Sequence, residues 1–403
     1  MKLLVLIDLD DTLLSNDING FVPVYFQALR NYVSSVPGDL LIKQILYATQ
    51  KMVEKNTPSQ TLEHTFDEHF YTALGYQKEE LKPVFDRFYA EAFPELKHIT
   101  HSVPEAIQLI EGLFAKGSQV AIATNPLFPR TAILQRLAWA GLPLEDYPFS
   151  LVTSYEEMHF AKPNIAYYAE ILGQLGWPEL PAVMIGNNVA DDLKPAAELG
   201  LPTFLVSAEK VTLPEGIHPD SMSGSLTEVL PWLESIASIH PKLNLSSTSA
   251  LLAILKSTPA AYETLTKGLS KAEWRQRPDP KEWSLTEMAC HWRDVDREVN
   301  LPRFQQILAE ENPFLPGIDT DPWVDQRGYN QENGLVAFQE WLETRQHLTQ
   351  SLELLQSVDW QRPARHAVFG PTDLRELVSF IVTHDRVHLR QVFKALQAIH
   401  SRR

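Results

Sequence analysis

The sequence predicts an α/β domain followed by an all-α four-helix bundle. In residues 1–206, short apolar runs alternate with helical patterns, which is typical of a parallel sheet covered by helices. Residues 240–249 (HPKLNLSSTS) have the composition of a linker. Beyond them the sequence shows long helical patterns, and we expect no strand there. We therefore expect two domains, at residues 1–240 and 246–403.

Length and composition agree with a two-domain globular protein. The chain has 403 residues, of which 44% are hydrophobic and 21% charged. Since no apolar run approaches the roughly 20 residues that cross a membrane, we expect neither a membrane span nor a signal peptide. The net charge of −16 disfavours nucleic-acid binding. The single cysteine, Cys290, excludes an internal disulfide and favours a cytoplasmic location.

Four apolar runs are predicted as buried parallel strands, because they are short and rich in aliphatic side chains. They lie at residues 3–7, 120–123, 182–185 and 203–206. Helical patterns alternate with them, at residues 104–114, 165–175, 193–199 and 226–236. Residues from about 15 to 95 show helical spacing without a strand pattern. The predicted fold is therefore a Rossmann-like parallel sheet with a helical cap inserted after its first strand.

Acidic residues follow the first predicted strand directly, in the sequence DLDDT from Asp8 to Thr12. Ligands of open α/β sheets gather where the strands end. Asp8 and Asp10 can therefore face one site, where one carboxylate attacks a phosphorus atom and the other transfers a proton. A magnesium ion would offset the charge of the acids and of a phosphoryl group. The alternative is an acidic turn after a buried strand.

The apolar strand followed by DLDDTL resembles the first of four signatures of the haloacid dehalogenase (HAD) superfamily. The other three follow in the expected order. They are the strand VAIAT, ending at Thr124 and followed by Asn125; the pair Lys162-Pro163; and the segment VMIGNNVADD, which contains Gly186, Asn187, Asp191 and Asp192. This resemblance covers about residues 1–206.

The resemblance implies a magnesium-dependent phosphatase acting on a small phosphorylated substrate. Asp8 would be the nucleophile and form an aspartyl-phosphate, while Asp10 would protonate the leaving oxygen and then activate water. Thr124, Asn125 and Lys162 would bind the phosphoryl group. The magnesium ligands would be Asp8 and Asp10, together with the fourth-signature residues Asn187, Asp191 and Asp192. The cap would close over the site and select the substrate.

One position departs from the HAD pattern. The superfamily usually has an aspartate after the glycine of the fourth signature, and this chain has Asn187. An amide oxygen can ligate a hard cation but supplies no negative charge. We expect Asp191 or Asp192 to compensate, directly or through water. The alternative is a degenerate HAD domain that acts as a binding or scaffold module.

Four long helical patterns are predicted beyond the linker, at residues 250–269, 284–301, 334–355 and 372–399. Helices of this length are typical of a four-helix bundle, which could also support an oligomer. Ser284 and Glu287 have the spacing of a capping box. Thr372 or Asp373 is expected to cap the last helix.

Three histidines can meet within this bundle. His384 and His388 lie four residues apart and so share one face of a helix, and His291 lies on the second predicted helix. Three ring nitrogens can bind a metal and leave positions open for water or substrate. We expect an acidic neighbour, Asp294 or Asp385, to orient the rings. The alternative is a set of surface histidines.

Residues of about 246–400 resemble the DinB-like four-helix family. The resemblance is carried by WSLTEMACHWRDVD, by RGYNQEN with the helix containing Arg345, and by GPTDLRELVSFIVTHDRVHLRQ. It implies one divalent transition metal, zinc or nickel, on His291, His384 and His388. Chemistry there would be thiol transfer or hydrolysis. Cys290 is expected to be a core residue, and tryptophans such as Trp283 are expected to pack within the bundle.

Overall fold

The computed structural model describes residues 2–237 and 243–400. The described residues form two compact units. The first is built from Met1–Asn56, Gln60–Tyr168 and Glu179–Leu243, and the second from Thr57–Ser59, Ala169–Pro178 and Asn244–Arg403. The expected division between residues 1–240 and 246–403 stays a prediction, because residues 238–242 lie outside the described part of the chain.

The first unit contains a parallel sheet. In chain order the described strands of this unit are β1 (Leu4–Ile7), β2 (Leu14–Ser15), β3 (His101–Ser102), β4 (Gln119–Ile122), β5 (Leu151–Val152), β6 (Ala182–Gly186), β7 (Thr203–Val206) and β8 (Met222–Gly224). The sheet order is β5-β4-β1-β6-β7-β8, and β2 pairs antiparallel with β3. The α/β prediction and its four strands are confirmed. β5 and β8 were not predicted, because runs of two or three residues show no period.

The register of the sheet brings three strand ends together. Ile7 of β1 pairs with Ile122 of β4 on one side and with Ile185 of β6 on the other. These strands therefore end at the same edge, and the residues that follow them are neighbours. All four residues of β1 are buried, which fits an apolar strand covered on both faces.

The helical cap lies between β2 and β3. Its helices are α1 (Ile18–Tyr32), α2 (Gly38–Glu54), α3 (Leu62–Leu74) and α4 (Lys78–Glu91), followed by a 3-10 helix at Phe93–Ile99. The insertion predicted at about 15–95 is thus helical. Aromatic rings of three segments pack together inside it, since the rings of Tyr25 and Phe93 are 6.1 Å apart and those of Phe88 and Phe93 are 6.3 Å apart.

The remaining helices of the predicted α/β region are α5 (Pro104–Ala115), α6 (Arg130–Trp139), α7 (Ile165–Gln174), α8 (Lys194–Glu198) and α9 (Val229–Ile236). Each predicted helix is present with small shifts at its ends. A π-helical turn at Val189–Leu193 precedes α8. This turn carries the acidic residues of the fourth signature.

The second unit is largely helical. Its described helices after residue 243 are α10 (Thr248–Thr266), α11 (Lys271–Trp274), α12 (Leu285–Val295), α13 (Leu301–Ala309), α14 (Trp323–Gln326), α15 (Gly334–Glu353) and α16 (Leu374–His400). The four predicted long helices correspond to α10, α12, α15 and α16. A π-helical turn at Asp296–Asn300 carries α12 on into α13, beyond the predicted end. Both predicted capping residues of α12 form the capping box.

Two boundary predictions were wrong. The predicted linker was given an end at residue 249, but α10 already begins at Thr248, because the Ser247 hydroxyl accepts from the backbone N–H of Ala250. The last helix begins at Leu374 rather than at residue 372. The Asp373 carboxylate accepts from the backbone N–H of Glu376 at 2.7 Å, so Asp373, one of the two expected caps, is the capping residue.

The expectation that no strand follows the linker was also wrong. A small sheet of the order β11-β10-β9 is found in the described residues, with β9 at Phe314–Leu315, β10 at Pro363–His366 and β11 at Gly370–Asp373. The β10 and β11 segments read PARH and GPTD, which contain only one β-branched residue, Thr372, and so lack the enrichment that marks a strand. Backbone pairing in a hairpin, rather than side-chain pattern, forms them.

In the described part of the chain, no helix is both long enough and apolar enough to cross a lipid bilayer.

Candidate active site and candidate metal centre

A buried ion-pair cluster lies where β1 ends. The Lys162 ammonium donates to Asp8 Oδ1 at 2.7 Å and to Asp192 Oδ1 at 2.5 Å. The Thr12 hydroxyl donates to Asp8 Oδ2 at 3.1 Å. Asp8, Lys162 and Asp192 are each at most 6% exposed, and we call them the acid–lysine cluster. Three of the sequence signatures therefore meet at one point.

The cluster has an unusual charge balance. Burial raises the pKa of Asp8 to about 7; Lys162 opposes this shift, and the negative charges of Asp192 and Asp10 add to it. Burial acts to lower the pKa of Lys162, but Asp192 and Asp8 outweigh it and hold that pKa well above its ordinary value. Lys162 is therefore a fixed positive charge beside a carboxylate that binds a proton readily.

Asp10 is held by a residue that the sequence analysis missed. Arg136 of α6 donates through Nη1 to Asp10 Oδ2 at 2.5 Å, and the Asn16 amide donates to Asp10 Oδ1 at 3.0 Å. Arg136 is 2% exposed, and its Nε and Nη2 have no hydrogen-bond partner among the described residues. A signal existed in the sequence, because Arg136 falls on the helix face of the buried residues Ala132 and Trp139.

Thr124 and Asn125 follow β4 at the same edge of the sheet. The Thr124 backbone carbonyl accepts from the Thr153 hydroxyl at 2.8 Å and from the Tyr167 hydroxyl at 2.7 Å, which fixes this turn. Asn125 Oδ1 is buried and has no hydrogen-bond partner among the described residues. A buried polar atom without a partner is costly unless a ligand completes it.

The acidic residues of the fourth signature take different positions. Asp192 belongs to the acid–lysine cluster, and its Oδ2 accepts from the backbone N–H of Asn188 at 3.0 Å. A Cβ on Gly186 would overlap the Asp192 carboxylate, so only glycine fits there. Asp191 instead accepts from the Asn188 side chain at 3.1 Å. Asn187 is exposed and forms no hydrogen bond with the described residues.

The donor atoms at this edge fit magnesium in kind. Asp8, Asp10 and Asp192 offer carboxylate oxygens, and Asn187 offers an amide oxygen; all are the hard ligands that Mg²⁺ prefers. The negative charge of Asp10 and Asp192 around Asp8 is the kind of excess that a divalent cation offsets. The neutral Asn187 makes this charge complement weaker than the HAD pattern provides.

The three predicted histidines meet in the second unit, and we call them the histidine cluster. His384 Nε2 lies 3.0 Å from His291 Nε2 and 3.0 Å from His388 Nε2. Their ligand atoms all lie within 4.8 Å of one another. Nitrogen ligands of a tetrahedral zinc ion, with bonds of 2.0–2.1 Å, are about 3.3 Å apart. Two of the three ring pairs therefore already have nearly the separation that a bound transition metal requires.

The protonation of the histidine cluster also fits a metal. Burial and the other histidines lower the pKa of His291 to about 2 and that of His388 to about 3, so both rings are neutral. His388 Nδ1 lies 2.6 Å from the amide oxygen of Gln391, which places the ring proton there and leaves the Nε2 lone pair free. Neutral imidazole is the form that binds zinc or nickel.

Of the two acids expected to orient the rings, Asp385 is near and Asp294 is not. Asp385 Oδ1 lies 3.9 Å from His384 Nδ1. Its main partners are Arg345 Nη1 at 2.5 Å and the Trp292 indole N–H at 2.9 Å. Asp294 instead accepts from the Tyr329 hydroxyl at 2.8 Å and from arginines.

Two further expectations concern residues beside the histidines. Cys290 is fully buried with its thiol 3.9 Å from the Tyr329 carbonyl, which confirms it as a core residue. Trp283 does more than pack in the bundle, because its ring stacks on His388 at 5.3 Å with an interplanar angle of 15°. It covers one side of the histidine cluster.

Comparison with known proteins separates the chain into two family regions. The model for haloacid dehalogenase-like hydrolases matches residues 3–200, and the model for the DinB superfamily matches residues 254–392. The chain is 24% identical over 206 residues to the glyceraldehyde 3-phosphate phosphatase of Methanothermobacter thermautotrophicus, covering 51% of this chain and 85% of that protein. It is 28% identical over 169 residues to the pyrimidine 5'-nucleotidase YjjG of Escherichia coli, covering 42% and 69%.

Among solved structures, the 2-haloacid dehalogenase of Pseudomonas syringae aligns with a TM-score of 0.43 at 22% identity, covering 59% of this chain and all of that one. The two family matches lie in the predicted order and include both candidate sites. Residues 3–200 therefore belong to the haloacid dehalogenase-like hydrolases, and residues 254–392 belong to the DinB superfamily.

Proposed function

We propose that the N-terminal unit is a magnesium-dependent phosphatase that removes phosphate from a small phosphorylated metabolite through an aspartyl-phosphate. The observation that carries this proposal is the buried Asp8 at the end of β1, with Lys162 Nζ 2.7 Å from its Oδ1. A positive charge in a dry site stabilises the charge that a phosphoryl group brings. The names of the two sequence relatives, a phosphatase and a nucleotidase, support a phosphorylated substrate.

The residues suit a two-step displacement. An Asp8 oxygen attacks phosphorus, and the bond to the ester oxygen breaks while Asp10 gives that oxygen a proton. Asp10 then takes a proton from the water that attacks the aspartyl-phosphate, which releases inorganic phosphate and restores Asp8. Lys162, Thr124 and Asn125 line the proposed phosphoryl position. When bound by Asp8, Asp10 and the fourth signature, Mg²⁺ supplies positive charge beside the phosphoryl oxygens.

The arginine–asparagine pair around Asp10 has a role in this scheme. A general acid must be held within hydrogen-bond reach of the leaving oxygen. Arg136 and Asn16 each occupy one oxygen of Asp10, so the carboxyl group cannot rotate freely. We infer that Arg136 is a positioning residue rather than one that contacts the reacting atoms.

Phosphate release by the full-length protein tests the proposal, using a panel of small phosphate esters with and without added Mg²⁺. We expect Asp8→Asn to lower kcat by at least about a thousandfold. Asp11→Asn is the matched control, because Asp11 lies in the same turn and, among the described residues, its Oδ1 accepts only from the Asn16 backbone N–H. Wild-type turnover by Asp8→Asn would disprove the assignment.

A second candidate function rests on Asn187 and on the cations already present. Lys162 and Arg136 neutralise the carboxylates, and position 187 carries no charge, so the first unit could instead bind a phosphorylated ligand without cleaving it. Any chemistry would then lie at the histidine cluster, as thiol transfer or hydrolysis on one zinc or nickel ion. Binding of phosphate without release from any ester, at any magnesium concentration, would favour this alternative.

A further inference from the structure

A cavity of about 270 Å³ lies within the first unit, between the cap and the loop that follows Thr124. Helices α1 to α4 each contribute to its wall, and residues 127–129 close it from the side of the sheet. The wall is dominated by aromatic rings, which include those of Tyr25, Phe66, Phe85, Tyr89, Phe128 and Tyr155. It therefore presents an apolar surface inside the cap, next to the loop that leaves the sheet at the edge where the acid–lysine cluster lies.

The charged groups on the wall, and two of its tyrosine hydroxyls, are already paired. The Tyr25 and Tyr89 hydroxyls hydrogen-bond to one another at 2.8 Å. Asp67 forms an ion pair with Lys78, and Lys82 forms one with Asp86 at 2.8 Å. A ligand with several hydroxyl groups would thus face a mainly apolar surface in the cavity. Burying such groups unpaired is unfavourable, whereas burying a ring or a branched chain is favourable.

One residue connects the cavity to the proposed chemistry. The Arg136 guanidinium lies 4.7 Å from the centre of the Phe128 ring, and its Nη1 lies 2.5 Å from Asp10 Oδ2. The Phe128 ring is in turn 5.5 Å from that of Tyr25. Asp10 is the residue assigned to the leaving oxygen, so the cavity lies on the side where the alcohol part of the substrate departs.

We propose that the substrate is a phosphate monoester of an alcohol that carries an apolar ring or a branched apolar chain, and that the cap cavity binds this group. The proposal rests on the phosphatase function proposed above and names its substrate class. The volume is appropriate, because an apolar cavity of about 150 Å³ is sufficient to bind benzene. A ring with a short linker to the phosphate therefore fits within 270 Å³.

The test compares two esters of primary alkyl alcohols, 2-phenylethyl phosphate and glycerol 3-phosphate, with the full-length protein and Mg²⁺. Their scissile bonds have similar intrinsic reactivity, so a difference in kcat/KM reports the pocket. We expect at least about a tenfold preference for the phenylethyl ester, the range that an apolar pocket gives for a well-fitting group. A ratio near one, or a preference for glycerol 3-phosphate, would overturn the proposal and leave the phosphatase function standing.

Variants locate the effect in the cavity. Thr49→Phe fills it from α2, and should reduce the preference about tenfold. Thr72→Phe is the matched control, since Thr72 is exposed on α3 and does not line this cavity. Should Thr49→Phe fail to fold, Phe66→Leu removes one ring from the wall and should weaken the preference at least about twofold. An unchanged preference in the folded variant would contradict the assignment.

A binding measurement separates this inference from the phosphatase function. 2-Phenylethanol is added to the wild type and to Thr49→Phe, and its saturation-transfer NMR signal is recorded. If no ester is hydrolysed but the alcohol binds the wild type and not Thr49→Phe, the phosphatase proposal fails and the apolar site stands. If neither turnover nor binding occurs, both fail.

Discussion

The acid–lysine cluster and the histidine cluster are both buried and both assembled from distant parts of the sequence, but they differ in how their charges are balanced. In the first, Lys162 already lies against two carboxylates, and Arg136 holds the neighbouring Asp10. In the second, His384 Nε2 lies 3.0 Å from both His291 Nε2 and His388 Nε2, and no cation is hydrogen-bonded or ion-paired to these rings among the described residues.

The two sites therefore differ in what a metal ion would contribute to them. The acid–lysine cluster is stabilised by its own cations, so a magnesium ion there must compete with Lys162 and Arg136 for carboxylate oxygens. The histidine cluster sets three electron-rich nitrogens together, which is favourable only if a proton or a cation lies among them. We therefore expect weak, exchangeable magnesium at the first site and a retained transition metal at the second.

The largest expected effect is on the retained metal. Elemental analysis of the purified full-length protein should find close to one zinc or nickel per chain, and His388→Ala should remove most of it, because two nitrogens bind such an ion far less firmly than three. His347→Ala is the control, since His347 lies exposed on α15. A wild-type protein that contains no transition metal and also fails to bind added zinc and nickel would show that the histidine cluster is not a metal site.

The bundle also has a buried ion-pair cluster that includes none of the three histidines. Arg345 Nε lies 2.7 Å from Asp296 Oδ2, and Arg345 Nη1 lies 2.5 Å from Asp385 Oδ2, with all three side chains at most 1% exposed. Arg345→Met would leave two buried carboxylates without their cation. We expect a loss of about 3–5 kcal/mol in the stability of the bundle, as for other buried pairs that lose one partner.

Hydrogen exchange of peptides from α12 and α16 in the full-length protein measures this loss. Arg375→Met is the control, because the Arg375 side chain is 45% exposed and lies 3.8 Å from Asp373, so we expect a change below about 1 kcal/mol. Equal protection in the two variants would mean that the buried pair does not stabilise the bundle. The histidine cluster would then be the larger source of order in that unit.

Arg136 is a buried cation of the first unit that can serve either the chemistry or only the stability of that unit. Arg136→Met should lower kcat about tenfold to a hundredfold, because a misplaced general acid costs rate without weakening substrate binding. KM should change little, and Arg136→Lys should restore part of kcat. Arg130→Met, on the same helix but half exposed, should leave kcat near the wild-type value. A loss confined to thermal stability would make Arg136 a structural residue.

Some of these features could be predicted from sequence because they are local. An apolar strand that meets Asp8, and two histidines four residues apart, are patterns with a fixed spatial meaning. The pairing of Asp10 with Arg136 is not local, because the two are 126 residues apart and meet only when α6 packs. The one signal in the sequence was that Arg136, a charged residue, falls on the buried face of α6. The sequence carried no comparable signal for strands β9 to β11.

The division of roles between Asp191 and Asp192 was also not predictable. Consecutive residues on a regular helix point about 100° apart, but these two lie in a π-helical turn, whose geometry differs. The structure turns Asp192 toward Lys162 and Asp191 toward Asn188. The sequence therefore predicts that one of these two acids lies at the site, but it does not identify which one.

The smallest expected effect is at Asn187, and it concerns the magnesium requirement of the first site. If the first site binds magnesium weakly because its fourth signature lacks a charge, then Asn187→Asp should lower the magnesium concentration for half-maximal activity about threefold to tenfold, since ligand charge sets affinity for hard cations. Asn187→Ala should raise it. Asn19→Asp adds the same charge at an exposed position of the helical cap and should leave the magnesium requirement unchanged. Titration of phosphate release against Mg²⁺ gives all three values. An unchanged requirement in Asn187→Asp would mean that Asp192, despite its pairing with Lys162, already supplies the charge that position 187 lacks.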